Sequence, residues 1–119
     1  MFKACFANQP YAEGILFSNL KHISMFVRLT YFSLAPERAK EITKLYHEEV
    51  APVIHGQPGV IDVKLFEPVQ SDDEFISCTI WERESDTKAF ETSEVYPKLF
   101  GKIKAATSKP PHQKYYNLE

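Results

Sequence analysis

Alternating apolar side chains mark four segments of the chain, and each segment predicts a β-strand: residues 25–34, 60–67, 74–82 and 113–118. Successive side chains of a strand point to opposite faces of its sheet. In the third segment one face therefore carries Phe75, Ser77, Thr79 and Trp81, and the other carries Ile76, Cys78 and Ile80. Neither face is polar enough for water, so we expect a sheet that is covered on both sides.

A different spacing, with apolar residues three or four positions apart, predicts a helix after the first strand. Pro36 suits its first turn, because the missing N–H of proline would have no partner there. The expected buried stripe of this helix is Ala39, Ile42, Leu45 or Tyr46, Val50 and Val53. Pro52 should kink or end the last turn, and the Gly-Gln-Pro-Gly sequence at 56–59 should reverse the chain.

A second helix is predicted before the last strand, with Ser85 or Asp86 as its N-terminal cap. Pro97 interrupts the hydrogen bonds of a helix, so we expect a bend near Ser93 and a second piece that continues to about Ala106. The chain thus runs strand, helix, strand, strand, helix, strand, which is the ferredoxin-like βαββαβ arrangement of the α+β class. We expect an antiparallel four-stranded sheet with two helices on one face.

These helices leave the second face of the sheet uncovered. Its apolar area would exceed the few hundred Å² that a monomer normally exposes, and a twofold pairing of two sheets would bury it. We therefore predict a homodimer through the sheet face. We assign Tyr31 to the helix side and Arg28 to the dimer side. For Arg28 we favour an ion pair between subunits with an acidic residue such as Asp62 or Glu82 over contact with a substrate anion.

Composition narrows the class of partner. A chain of 119 residues with 44% hydrophobic residues, a net charge of −2 and no basic stripe predicts one folded domain that does not bind nucleic acid. No apolar run approaches the roughly 20 residues of a membrane helix. Two cysteines, Cys5 and Cys78, and four dispersed histidines form no metal-ligand pattern. So few cysteines suit a reducing, cytoplasmic setting.

The domain is assigned to residues 25–119, where the periodic segments lie. Residues 1–24 lack a clean period and carry Pro10, Gly14 and Asn19. Terminal segments are often loosely attached. We expect residues 1–24 to be either a loosely attached extension or an artefact of translation from an upstream start site.

Four sequence features, in their order and spacing, resemble the antibiotic biosynthesis monooxygenase (ABM) domain family of the dimeric α/β-barrel superfamily. They are F-V-R-L-T-Y-F at 26–32, Q-P-G at 57–59, I-S-C-T-I-W-E at 76–82 and S-E-V-Y-P-K-L-F at 93–100. The resemblance covers about residues 25–119 and implies a dimer with one pocket between each sheet and its helices. The family includes quinol and polyketide monooxygenases that act without metal or flavin, haem-degrading enzymes, and members with no known reaction.

The haem-degrading relatives use an Asn on the first strand, a Trp at the end of the third strand and a haem-ligating His on the second helix. Trp81 matches the Trp, whereas Val27 and Phe100 stand at the other two positions. The resemblance therefore argues against haem degradation. Many quinol-acting members also carry a His early in the second helix, near residues 93–95, and this chain has none there.

The resemblance implies that a small aromatic or quinone-like ligand binds, with no cofactor, in an apolar pocket beside Trp81. The residues expected to contact it are Trp81, Tyr31, Thr79, Tyr96, Phe100 and Val27. Two functions stay open: a cofactor-independent monooxygenase and a non-catalytic ligand-binding protein. A monooxygenase needs a group that takes a proton from its substrate. The candidates for this role are His47, His55, Tyr31 and Tyr96.

Overall fold

The computed structural model describes residues 24–119, so the prediction for the N-terminal extension lies outside the described residues, apart from Ser24. The elements in chain order are β1 (Met25–Phe32), α1 (Pro36–Leu45), a π-helical turn (Tyr46–Val50), α2 (Ala51–His55), β2 (Val60–Phe66), β3 (Phe75–Trp81), α3 (Glu84–Glu91), α4 (Val95–Lys104) and β4 (His112–Leu118). This order confirms the predicted βαββαβ arrangement. Every strand end lies within two residues of its prediction.

The four strands form one antiparallel sheet in the order β2-β3-β1-β4. The two central strands, β1 and β3, are far apart in the chain, and the first helical segment and the β2–β3 hairpin connect them. Within the described residues β2 and β4 are edge strands that do not pair with each other. The sheet of one chain is therefore open and not closed into a barrel.

The first helical segment contains one wider, π-helical turn that the sequence pattern did not predict. Its buried residues are four positions apart throughout, at Ile42, Tyr46, Val50 and Ile54. Pro52 has no N–H to donate and its ring crowds the preceding turn, so the backbone widens and the N–H of Ala51 bonds to the carbonyl of Tyr46. The extra residue in this turn buries Ile54 and leaves Val53 exposed, and the prediction that Val53 is buried is wrong.

The second helical segment is divided into α3 and α4, as predicted from Pro97. The bend falls at residues 92–94, and Pro97 occupies the first turn of α4, where its missing N–H breaks no hydrogen bond. The predicted cap is wrong, because α3 already begins at Glu84 and Arg83 precedes it without a capping side chain. Both helical segments, the first with α1 and α2 and the second with α3 and α4, pack against one face of the sheet.

The turn before β2 brings the chain close to the start of α3. Gly59 has a φ of +87°, which favours glycine, and its carbonyl accepts a hydrogen bond of 2.8 Å from the N–H of Glu82. A Cβ atom at this position would lie 2.3 Å from the carboxyl group of Asp86. The turn therefore requires glycine both for its backbone conformation and for this close approach.

The pairing of β1 with β3 fixes which residues face the helices. Residues directly opposite each other in an antiparallel pair share a face. Arg28 lies opposite Thr79, and Tyr31 lies opposite Ile76. Arg28 therefore faces the helices with Trp81, whereas Tyr31 lies on the other face, which we call the outer face. The predicted sides of Arg28 and Tyr31 are both wrong.

The hydrophobic core lies between the sheet and the helices. It includes Phe32, Phe75 and Trp81 from the strands and Ile42, Tyr46, Phe90 and Leu99 from the helical segments. The outer face carries Val27, Leu29, Tyr31, Ile76, Cys78, Ile80, Phe66, Tyr116 and Leu118. In residues 24–119 no helix has the length and apolar character that crossing a membrane requires.

Candidate functional site

A small cavity lies between the helix-facing side of the sheet and the helical segments. Its volume is about 50 Å³. The lining combines aliphatic and aromatic residues with a few polar groups, namely Phe32, Val50, Ile54, Phe90, Leu99, Phe100 and Ile103 with Arg28, Thr30, Tyr46, Ser77, Tyr96 and Gln113. An apolar space with few polar groups is the usual form of a small-molecule site.

The most unusual group in this lining is Arg28, whose charged side chain lies inside the domain. The residue is only 4% exposed. Its guanidinium carbon lies 5.9 Å from the ring centre of Trp81, 5.2 Å from that of Phe90 and 5.4 Å from that of Tyr96. The negative faces of these rings attract the cation. We call these four residues the aromatic box of Arg28.

One carboxylate balances the charge of Arg28. Nη1 of Arg28 donates a hydrogen bond of 3.2 Å to Oε2 of Glu91, at the end of α3. Among the described side chains, Glu91 is the only one that accepts a hydrogen bond from this guanidinium. A guanidinium has five N–H donors, so further donors remain for an anionic group in the cavity that Arg28 lines.

Hydroxyl groups occupy the rest of the polar lining. Tyr46 and Ser77 share a hydrogen bond of 2.6 Å between Oη and Oγ. Burial raises the pKa of Tyr46 to about 12 against this hydrogen bond, which lowers it. The Tyr46 phenol is therefore neutral at pH 7. On the other side of the cavity, Gln113 donates a hydrogen bond of 2.7 Å from Nε2 to the hydroxyl of Tyr96.

Known proteins resemble this chain at two levels, a family sequence model and solved structures. A sequence model described as antibiotic biosynthesis monooxygenase, ABM, matches residues 25–101. The chain belongs to the ABM family. No curated protein matches the chain in sequence.

Solved structures share the ABM fold at low sequence identity. A Caulobacter crescentus protein named for this family is 15% identical, with a TM-score of 0.66 over 85% of this chain and 95% of that one. A Streptomyces coelicolor monooxygenase, solved with the ligand nanaomycin D, is 14% identical, with a TM-score of 0.69 over 85% and 92%. A heme-degrading protein of Mycobacterium tuberculosis is 14% identical, with a TM-score of 0.61 over 80% and 91%. At these identities the likeness shows the fold alone.

Four of the six residues predicted to contact a ligand lie on the helix side of the ABM sheet. Tyr96 and Phe100 line the cavity, with ring centres 5.5 Å apart. Trp81 and Thr79 are fully buried and do not line it. Phe90 packs against Trp81 at 5.5 Å and forms the cavity wall, so the Trp81 ring lies behind Phe90.

The other two predicted residues lie on the outer face. Tyr31 stacks on His112 with ring centres 4.8 Å apart, and Val27 lies opposite Ile80. Neither residue lines the cavity. Alternation along β1 was predicted correctly, but the two sets of residues were assigned to the opposite faces of the sheet.

The predicted proton acceptors are mostly absent from this cavity. His47 and His55 are exposed residues of the π-helical turn and of α2, and they do not line it. Tyr96 is the one predicted candidate in the lining. Among residues 24–119, no carboxylate and no histidine lines the cavity. Within this part of the chain, a base of either type would have to come from the boundary of the cavity.

The described residues do not fit a haem. Residues 24–119 contain no group of three or more His, Cys, Asp or Glu side chains that could hold a metal ion. Phe100 occupies the cavity at the position where the resemblance implied a ligating His. Among the described residues, the cavity lining offers no thiolate or imidazole as an axial ligand, and its two tyrosine hydroxyls are hydrogen-bonded, Tyr46 with Ser77 and Tyr96 with Gln113.

Sequence reasoning did not place Glu91 or Gln113 in the site, and it put Arg28 on the dimer side, with contact to a substrate anion as the less favoured alternative. For Arg28 the available signal was its strand face. This face of β1 matches in length the β3 face that runs from Phe75 to Trp81, and its members are Phe26, Arg28, Thr30 and Phe32. Glu91 gave no signal of its own, because a glutamate at the end of an amphipathic helix usually faces water. Gln113 lies on a strand whose other side chains are largely exposed.

Proposed function

We propose that this ABM protein is a cofactor-independent monooxygenase that oxidises a small, flat, hydroxylated aromatic compound or quinol. The observation that carries the proposal is the buried guanidinium of Arg28, which lines an apolar cavity within its aromatic box. A cation at this place is suited to hold the oxyanion of an ionised phenol. The low cysteine content favours the reducing cytoplasm as the setting.

The reaction needs an electron-rich anion that is kept away from water. The substrate loses its hydroxyl proton, and the anion then passes an electron to O₂, so the substrate is oxidised and O₂ is reduced. For a phenol with a free para position, overall oxidation by one O₂ yields a quinone and one water. Arg28 stabilises the oxyanion by charge, and the rings of Phe90 and Tyr96 stack on the flat substrate.

Substrate binding must enlarge the site. Ligand pockets usually measure about 300–1,000 Å³, whereas this cavity measures about 50 Å³. Phe100 and Tyr96 on α4 are the half-buried aromatic members of its lining. Their rings stack on each other. We propose that both side chains move aside as the ligand binds and then cover it.

A homodimer through the outer face completes the proposal. Phe66, Tyr116 and Leu118 on this face are between 40% and 50% exposed, which is unusual for large apolar side chains on one sheet. Pairing of two outer faces about a twofold axis would remove them from water. The cavity lies on the helix side of each sheet, so the pairing leaves both cavities free.

Non-catalytic binding of the same class of ligand is the second candidate function. The observation that favours it is the absence of a carboxylate or histidine among the described residues that line the cavity. Tyr46 cannot replace such a base near neutral pH, because burial raises its pKa to about 12. A protein with this cavity and no base would bind a phenol without activating it.

Oxygen uptake distinguishes the two functions. The metal-free protein is incubated with reduced quinols and hydroxylated aromatics, and with their methyl ethers as matched controls that cannot ionise. Fluorescence of Trp81, the one tryptophan, reports binding in parallel, since its ring contacts the cavity wall at Phe90. Replacing Trp81 itself would leave a large hole in the core, so the test variant is Arg28→Met.

We expect uptake above autoxidation with the free hydroxyl compounds and none with the ethers. Arg28→Met should lower this uptake by about 100-fold or more, as loss of an oxyanion donor does in other enzymes. Arg38→Met, which alters an exposed arginine on α1, is the control and should leave uptake unchanged. Saturable quenching without any uptake would refute the monooxygenase and favour the binding protein.

A further inference from the structure

Two spaces meet at the ion pair of Arg28 and Glu91. Arg28 lines the inner cavity, whereas Glu91 lines a separate groove of about 250 Å³ along α3. A second contact joins the same two spaces, because the hydroxyl oxygen of Tyr115 in the groove lies 3.0 Å from Oε1 of Gln113 in the cavity. The boundary between cavity and groove therefore includes hydrogen-bonded side chains, which rotate more easily than backbone moves.

A ligand that enters from the groove meets Glu91 before it reaches Arg28. The cavity and groove together reach the lower end of the volume range of about 300–1,000 Å³ for small-molecule sites. Phe26 and Tyr115 stack on each other at 5.8 Å beside this route and offer an aromatic wall. The groove thus supplies the space that the inner cavity lacks.

The groups around Glu91 are cations or hydrogen-bond donors, so Glu91 is the proton acceptor of this boundary. Arg28 on β1 is a permanent cation, and Lys88 on α3 pairs with Glu84 at 3.5 Å. Tyr115 on β4 donates a hydrogen bond of 2.7 Å to Oε2 of Glu91. Burial and this contact raise the pKa of Tyr115 to about 12, so Tyr115 is a donor at neutral pH.

We propose that Glu91 is the catalytic base of this site and takes the hydroxyl proton of a phenolic substrate while Arg28 takes the oxyanion. This assignment rests on the proposed function. The O–H bond of the substrate breaks, its electron pair stays on oxygen, and the proton passes to a carboxylate oxygen of Glu91. Arg28 faces one negative charge before the step and one after it, so the buried cation is never left without a counter-charge.

Proton uptake on binding tests this assignment without any turnover. The ligand is 4-nitrophenolate, titrated by calorimetry at a pH where it is ionised in solution, in buffers of different ionisation enthalpy. If phenolate and Glu91 share one proton in the complex, wild type takes up about one proton per ligand bound. Glu91→Gln keeps the shape and the hydrogen bonds but cannot take the proton, so we expect uptake near zero. Glu41→Gln, an exposed glutamate on α1 that lines neither the cavity nor the groove, should behave as wild type.

Wild type alone decides the question if the variant does not fold. Binding of nitrophenolate by wild type with no proton uptake would overturn the assignment. In that case Glu91 would have left Arg28 as a charged carboxylate, without taking a proton. Equal uptake by wild type and Glu91→Gln would also overturn it. Absence of saturable binding to wild type would overturn both this assignment and the proposed function.

Oxygen uptake tests the proposed monooxygenase reaction separately from the role of Glu91 as proton acceptor. Proton uptake with no oxygen consumption would refute the monooxygenase but support Glu91 as the acceptor. With turnover, Glu91→Gln should slow neutral phenols by about 10²–10⁴-fold. Phenols that are already ionised at the assay pH should lose far less, because they need no base. Equal losses for both classes would overturn the assignment.

Discussion

The ion pair of Arg28 and Glu91 should respond unequally to removal of either partner. The Arg28 side chain is 5% exposed, whereas that of Glu91 is 24% exposed and borders the groove. Removing Glu91 leaves a cation inside the domain with no counter-charge. Removing Arg28 leaves a carboxylate that can turn to water and keep its bond from Tyr115. The asymmetry of burial therefore predicts an asymmetry of stability.

The size of each effect follows from the interactions that each substitution removes. Glu91→Leu should lower the free energy of unfolding by about 3–5 kcal/mol, the usual penalty for a buried charge without its partner. Arg28→Met keeps most of the apolar stem and removes one charge-assisted hydrogen bond, about 1.5–3 kcal/mol. Combining the two removes both charges from the interior. The double variant should therefore be more stable than Glu91→Leu alone.

Urea denaturation of all four proteins at one concentration measures these differences, with the slope m used to confirm that the unfolding transition is unchanged. Arg38→Met is the matched control, because its partner Glu41 is exposed and the pair should contribute little. A loss of stability for Arg28→Met that exceeds that for Glu91→Leu would refute the reasoning. A double variant whose loss equals the sum of the two single losses would refute it as well.

Three smaller perturbations test other parts of the structure. Folding raises the pKa of Tyr46 from 10.0 to about 12. The neutral phenol therefore contributes fully to the free energy of unfolding below pH 10, and this contribution is lost as the pH rises to 12. The stability of wild type should thus fall by about 3 kcal/mol more than that of Tyr46→Phe over this range, measured by urea denaturation, and parallel curves would contradict this. Gly59→Ala should destabilise by more than about 1 kcal/mol because of its positive φ and close contact, whereas Gly101→Ala, in open space on α4, should stabilise by up to about 1 kcal/mol. Thermal unfolding separates the two glycine variants, and changes of equal sign would be inconsistent with both reasons. Phe66→Lys on the outer face should convert the proposed dimer to monomer in light scattering, whereas Val69→Lys, fully exposed in the β2–β3 turn, should not.

The elements of the fold were predictable because local patterns determine them. Period-two alternation located β1 and β3 to within two residues, and Pro97 located the bend between α3 and α4. The shift of burial from Val53 to Ile54 was not predictable from apolar spacing, since it depends on a backbone adjustment around Pro52. Local sequence therefore predicts where an element lies better than which of its residues are buried.

The face of β1 could not be decided from β1 alone. An arginine among apolar neighbours looks like a residue of the less buried face, and Tyr31 looks like a residue of the core. The outcome depends on the register with β3, which places Arg28 opposite Thr79. It also depends on Glu91, which lies 63 positions away in the chain. No property of a ten-residue window contains either contact.

The same nonlocal contacts bear on which ligands the site can accept. The charge of Arg28 is already balanced by Glu91 and surrounded by aromatic rings without a ligand. A neutral molecule with no ionisable hydroxyl offers Arg28 no negative charge, so it cannot replace Glu91 as the counter-ion of this buried cation. A phenol can accept the charge that Glu91 gives up when it takes the proton. If Glu91 is the base that we propose, the ion pair favours ligands that carry an acidic hydroxyl already at the binding step.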